Sequence, residues 1–194
     1  LRFLGIGWSE RMQKQLSYEA ARLGHMEALA CLHELGCAWH PEACLAAAEG
    51  GHLDALVFLR EHGCPREYGM RTFESAAYTA ACRGDLAMLE FLYKNEYCVK
   101  EYEDWTHCLY SIAAQRGYVH ILAYLHDNAF PVRAFMHLTA RANPECTRLA
   151  AAQGQIASLA FLREKGFAWS ASEIAVAAGN GHLMCVAYLH EHGC

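Results

Sequence analysis

The feature that most constrains this chain is a recurrence: two adjacent alanines followed three residues later by a glycine. It occurs six times, at Ala20-Ala21 with Gly24, Ala47-Ala48 with Gly51, Ala80-Ala81 with Gly84, Ala113-Ala114 with Gly117, Ala150-Ala151 with Gly154, and Ala177-Ala178 with Gly181. Six copies in phase are the signature of a repeat architecture, in which each unit is one small supersecondary element stacked on its neighbours. After each glycine an apolar triad recurs at i, i+3 and i+6: Met26/Leu29/Leu32, Leu53/Leu56/Leu59, Leu86/Leu89/Leu92, Val119/Leu122/Leu125, Ile156/Leu159/Leu162 and Leu183/Val186/Leu189. That spacing predicts a helical seam. A second small residue falls 12 positions after each first glycine, at Gly36, Gly63, Glu96, Ala129, Gly166 and Gly193. Glycine in four of the six marks a helix exit.

The unit has a physical explanation. Tandem alanines keep one face of a first helix thin, so that a neighbouring helix can approach closely, and the glycine accepts the left-handed conformation that ends it. A second helix follows at once, and each buried leucine of its seam contributes roughly 1.5–3 kcal/mol. One helix pair cannot bury that seam alone, so the pairs must stack, with stability close to a sum of repeat and nearest-neighbour terms. Successive first glycines are 27, 33, 33, 37 and 27 residues apart, and the second-helix half is always 12. All the length variation therefore lies between an exit and the next alanine pair. Insertions at residues 68–71, 102–105 and 131–144 should lengthen the connecting loop or the first helix, with Pro144 in a helix's first turn. The expected organisation is a single array over residues 1–194, with repeats at about 9–36, 37–63, 64–96, 97–129, 130–166 and 167–194, and residues 1–8 closing a preceding repeat. Gly5-Ile6-Gly7-Trp8-Ser9 parallels Gly166-Phe167-Ala168-Trp169-Ser170, and His192-Gly193-Cys194 stops where His62-Gly63-Cys64 continues into Pro65. Both ends thus fall inside a repeat, as expected of a piece of a longer array.

Composition narrows function more than fold. Sixteen Lys and Arg against 21 Asp and Glu leave a net charge of −5, without the basic excess that attracts phosphate backbones, so no nucleic-acid partner is expected. Thirty-three alanines and only four prolines favour helices, and no apolar run reaches the roughly 18 residues of a membrane span. Ten cysteines without a signal-like start read as reduced thiols in an intracellular, reducing compartment, the cytoplasm first. No Cys-x-x-Cys occurs, and His62-x-Cys64 and His192-x-Cys194 are copies of one repeat position held apart by the stack, so no metal is expected. Cys31, Cys44, Cys82 and Cys185 should be small buried hydrophobes and Cys37 and Cys64, at exits, partly exposed. No serine elbow, Walker loop or dinucleotide fingerprint is present. Glu101, Glu103 and Asp104 sit in a loop insertion and read as a solvated face. Neither catalytic residues nor a cofactor are expected, and the chain does not read as an enzyme.

His25, His52 and His182 share one slot with Asp85, Tyr118 and Gln155 and read as polar helix starters bonding the preceding turn. His33, His126 and His190 stand near helix C-termini, where a cation offsets the partial negative charge. Trp8, Trp39 and Trp169 recur three residues after an exit, a position suited to packing over the adjacent turn. A zinc- or thiol-redox-responsive protein is the competing class, marked by stoichiometric metal or a thiol of depressed pKa.

The sequence Ala-Ala-x-x-Gly-His-Leu with a following leucine seam and terminal glycine, cleanest at residues 47–53 and 177–183, resembles the ankyrin repeat family. The likeness covers nearly the whole chain and departs in two respects: Thr-Pro-Leu-His is absent before every alanine pair, and short turns such as Gly36-Cys37-Ala38-Trp39 replace the Asp/Asn-rich hairpin. The resemblance implies an all-α solenoid of stacked antiparallel helix pairs with short connecting loops. It further implies a non-catalytic protein-binding surface on the concave side, carried by the two positions after each alanine pair. These include Arg22, Leu23, Glu49, Arg83, Gln115, Arg116, Gln153 and Asn180. Arginine is over-represented at interface hot spots, and an acidic or helical protein segment would suit Arg22, Arg83 and Arg116. Trp105, in an insertion with Tyr102 and Tyr110, is the expected aromatic anchor. The alternative is a constitutive subunit of a large assembly, with the insertions at 67–78, 99–110 and 130–148 buried against its neighbours.

Overall fold

The computed structural model describes residues 8–65, 73–95, 103–128 and 144–194, with backbone alone at 103–107 and 144. Twelve helices follow in order among them: α1 (Glu10–Arg22), α2 (Met26–Glu34), α3 (Ala43–Gly50), α4 (Leu53–Glu61), α5 (Phe73–Arg83), α6 (Leu86–Lys94), α7 (Glu103–Arg116), α8 (Val119–Asp127), α9 (Pro144–Ala152), α10 (Ile156–Glu164), α11 (Ala171–Gly179) and α12 (Leu183–Glu191). No strand occurs among the described residues. Two compact units divide the chain. The first holds α1–α4, α5 up to Ala80 and α6 from Ala87, and the second holds residues 81–86 and α7–α12. In the first, α1 packs on α3 and α2 on α4, with each helix also against its own partner. In the second, α7, α9 and α11 form one row and α8, α10 and α12 another, bridged within each pair.

The alanine pairs do more than thin the helix. The first helices α1, α3, α7, α9 and α11 each end in a corner where the glycine N–H donates to the second alanine carbonyl and the next residue's N–H to the first. At α1 these are Gly24 to Ala21, 3.1 Å, and His25 to Ala20, 2.9 Å; at α9 they are Gly154 to Ala151, 3.2 Å, and Gln155 to Ala150, 2.9 Å. This is the Schellman arrangement, which satisfies two carbonyls that a helix end leaves orphaned. The exits repeat it: Gly36 N–H donates to His33 and Cys37 N–H to Leu32, 2.9 and 3.0 Å. Glycine is required because the residue adopts φ near +70 to +80°, as at Gly24 (69°) and Gly154 (71°). The exit positions Glu96 and Ala129 lie outside the described residues.

Every alanine of the six pairs is buried except Ala178. The seam is corrected in phase. Its second and third members are buried in α2, α4, α6, α8 and α10, whereas the first members Met26, Leu53, Leu86, Val119 and Ile156 are only half-buried and Leu183 is 75% exposed. Outside α2, where Ala28 is exposed, the residue just before the second member takes the missing place: Ala55, Met88, Ile121, Ser158 and Cys185. Helical geometry explains this. At about 100° per residue, positions i+2, i+3 and i+6 share an arc of roughly 100°, while position i lies some 60° beyond it.

The insertions are partly helix. Pro144 opens α9, as its fixed φ and missing N–H allow. Residues 103–105, expected in a loop, form the first turn of α7, where acidic Glu103 and Asp104 favour the helix N-terminus. Phe73 and Tyr110 are buried in their own units. Ser9 and Ser170 both cap helices, and Ser170 forms a full capping box with Glu173. Glu173 is wholly buried; its carboxylate accepts from Ser170 N–H (2.8 Å), Ser170 Oγ (3.0 Å), Ser172 Oγ (2.9 Å) and, across from α9, Thr147 Oγ1 (3.0 Å). A buried charge is tolerated when donors surround it in this way. No helix among the described residues is long and apolar enough to cross a membrane.

Candidate partner-binding surface

The two positions after each alanine pair fall on the last turn of a first helix or just past it, so each is carried by a hydrogen-bonded corner. The slot after the glycine locks that corner to the repeat before it. His52, His182, Tyr118 and Gln155 form no side-chain cap on their own helices. Instead they lie over the preceding corner's glycine. A Cβ built on Gly154 would stand 2.8 Å from His182 Nδ1, one on Gly84 3.0 Å from Tyr118 Cζ, one on Gly24 2.6 Å from His52 Cγ, and one on Gly117 3.0 Å from Gln155 Cδ. His182 Nε2 also donates to the Ala152 carbonyl, 3.0 Å away. The slot residues are therefore brackets between repeats rather than bonds to their own preceding turn, because the bare glycine leaves room for a ring or amide.

The positions named from sequence differ in their surroundings. Arg22 is held in its own helix by Glu19, 2.9 Å from Nη2 and 3.0 Å from Nε. Leu23 is 46% exposed. Glu49 accepts a bond from Ser75 Oγ, 2.6 Å. Arg83 ends α5 and is exposed, and Asn180, the C-cap of α11, donates from Nδ2 to the Val176 carbonyl, 2.8 Å. Three of them meet. Gln115, Arg116 and Gln153 line one open depression of about 360 Å³ in the second unit, together with Tyr118 and Gln155. Tyr118 and Gln155 were identifiable in sequence only as slot residues; their part in this surface follows from the corner geometry.

Other expectations change. Tyr102 lies outside the described residues. Trp105 is in α7 rather than a loop, and Tyr110, expected in the same insertion, is buried on α7, with burial pushing its phenol well up. Among the thiols Cys44 and Cys185 are buried as expected, but Cys31 is exposed and Cys82 half-buried. Cys64, expected at the surface, is only 7% exposed; its Sγ donates to the His40 carbonyl, 3.7 Å, and a bond from Cys44 pulls its pKa down. Cys31 occupies the outward side of α2, where five other repeats place Phe58, Phe91, Tyr124, Phe161 and Tyr188. Trp39 packs over the adjacent turn as expected, donating from Nε1 to the His62 carbonyl, 2.8 Å, and Trp169 meets the Tyr188 ring edge-on with the Arg163 guanidinium 4.7 Å above its own ring. All nine described cysteines are free thiols, and no three His, Cys, Asp or Glu side chains among the described residues gather as a metal site.

Stacked helix pairs with glycine corners, among the described residues, are the architecture of an ankyrin-type repeat fold. The crystal structure of the human ASB11 ankyrin repeat domain is similar over 92% of this chain and 83% of that one, with a TM-score of 0.67 at 19% identity. At that identity the likeness is one of fold. No family model and no curated protein matches the sequence.

Proposed function

We propose that this protein is a non-catalytic interaction module that binds a protein partner through the exposed residues following its alanine pairs. The observation that carries the reading is the corner: buried alanine carbonyls, a left-handed glycine and an inter-repeat bracket hold those side chains on a rigid frame while leaving them to solvent. Such preorganisation lowers the entropic cost of association. The ankyrin-type fold supports the same reading, as does the absence from the sequence of any nucleotide or hydrolytic motif. The free thiols of the described cysteines support a reducing compartment, the cytoplasm first. Cross-linking mass spectrometry of the full-length protein captured in its own cells tests the proposal. Links from one partner to positions such as Arg83, Arg116, Gln153 and Asn180 are expected. Links from several subunits confined to the insertions at 99–110 and 130–148 would instead make it a fixed component of an assembly.

A further inference from the structure

We propose that the depression lined by Gln115, Arg116, Tyr118, Gln153 and Gln155 receives an extended peptide segment of the partner, with an Asp or Glu side chain of that segment on Arg116. The inference rests on the interaction-module reading above and names the chemistry of its ligand. Three primary amides line the site, and each offers both a donor and an acceptor. Amides arranged in this way match the N–H and C=O groups of a peptide backbone. Those groups are available in an extended segment and already paired inside a helix, so the lining selects an extended ligand over a helical one.

The single charge supplies the second element. No carboxylate lines the depression. Arg22, one place earlier in its corner, is neutralised by Glu19 three residues before it; three residues before Arg116, α7 carries Ala113, a buried alanine of the pair. The guanidinium of Arg116 is exposed, and its planar fork suits bidentate recognition of a carboxylate. Tyr118 and Gln155 are positioned before any ligand arrives, because each lies over the glycine of the preceding corner, Gly84 and Gly117. About 360 Å³ lies at the lower end of the roughly 300–1,000 Å³ typical of ligand pockets, a size for a few residues rather than a folded domain.

The test is selection of random dodecapeptides displayed on phage against the full chain and against the Arg116→Glu protein. Selected peptides are expected to carry Asp or Glu at one register with the wild type and to exchange it for Lys or Arg with Arg116→Glu. A fluorescein-labelled copy of the best wild-type peptide should bind about tenfold more weakly to Arg116→Ala and several-fold more weakly to Gln153→Ala, with unchanged helical circular dichroism in both. Peptides without an acidic register, peptides indifferent to Arg116 and Gln153, or no enrichment over the Arg116→Glu control would each overturn the inference. The module reading would survive those results if cellular cross-links still mapped to the other corner positions, and would fall with them if they did not.

Discussion

At the residue scale, the glycines divide into two kinds that the sequence writes with one letter. Gly154 and Gly166 both have positive φ, 71° and 86°. Beside Gly154 a Cβ would meet the His182 ring, whereas at Gly166 nothing lies within 4 Å. Gly166→Ala should therefore cost only the left-handed conformation, about 1–2 kcal/mol. Gly154→Ala should cost about 1 kcal/mol more, because the ring is displaced and its bond to the Ala152 carbonyl, worth about 0.5–1.5 kcal/mol, is lost. Urea unfolding of the two variants measures the difference, and equal midpoints would mean that the bracket contributes nothing. The thiols offer a second check. Burial raises the Cys146 pKa to about 11, so at pH 8 only about one molecule in a thousand carries the thiolate, and that fraction grows tenfold per pH unit until pH passes the pKa. Maleimide labelling followed by mass spectrometry should modify exposed Cys31 and Cys108 first and Cys146 last.

At the element scale, the helix phase decides which leucines matter. Leu56 is fully buried in α4 while Leu53, the first member of the same triad, is half-buried. Leu56→Ala should cost about 2–5 kcal/mol. Leu53→Ala should cost clearly less, and Glu49→Ala, at an exposed site whose carboxylate meets only Ser75, should stay within about 0.5 kcal/mol. Thermal and chemical unfolding of the three proteins ranks them, and a Leu53 effect equal to that of Leu56 would restore the simple i, i+3, i+6 seam. The seam's existence was legible because leucine recurs in register. Its inner edge was not, since Ala55, Met88, Ile121, Ser158 and Cys185 share no chemical character and only the packed helices show that they occupy one place. Glu103 and Asp104 were read as loop for a related reason: their charge suits both a solvated turn and the start of a helix.

At the scale of the whole molecule, nearest-neighbour packing predicts local consequences for local damage. Hydrogen exchange of Leu56→Ala should show lost protection in α1–α4 and wild-type protection in α9–α12. Uniform loss along the chain would show a single cooperative block instead. The candidate surface has the same mixture of legible and hidden parts. Gln115, Arg116 and Gln153 were readable from their distance to an alanine pair, whereas the pairing of Arg22, the counterpart of Gln115 in the first corner, with Glu19 of its own helix shows only in the folded chain.

What the amino-acid sequence by itself determined is the repeat: the six corners, the alternation of a thin helix with a leucine-bearing one, and the short connectors. These depend on backbone conformation and hydrophobic period, which act over a few residues and so leave a local trace. Tertiary structure alone decided which slot residues reach back over a glycine, which thiols are shielded, that Tyr110 is core, and that five polar side chains surround one depression. Each of those depends on residues roughly a repeat apart being brought together by packing, and a contact between such positions has no fixed signature in the order of the chain.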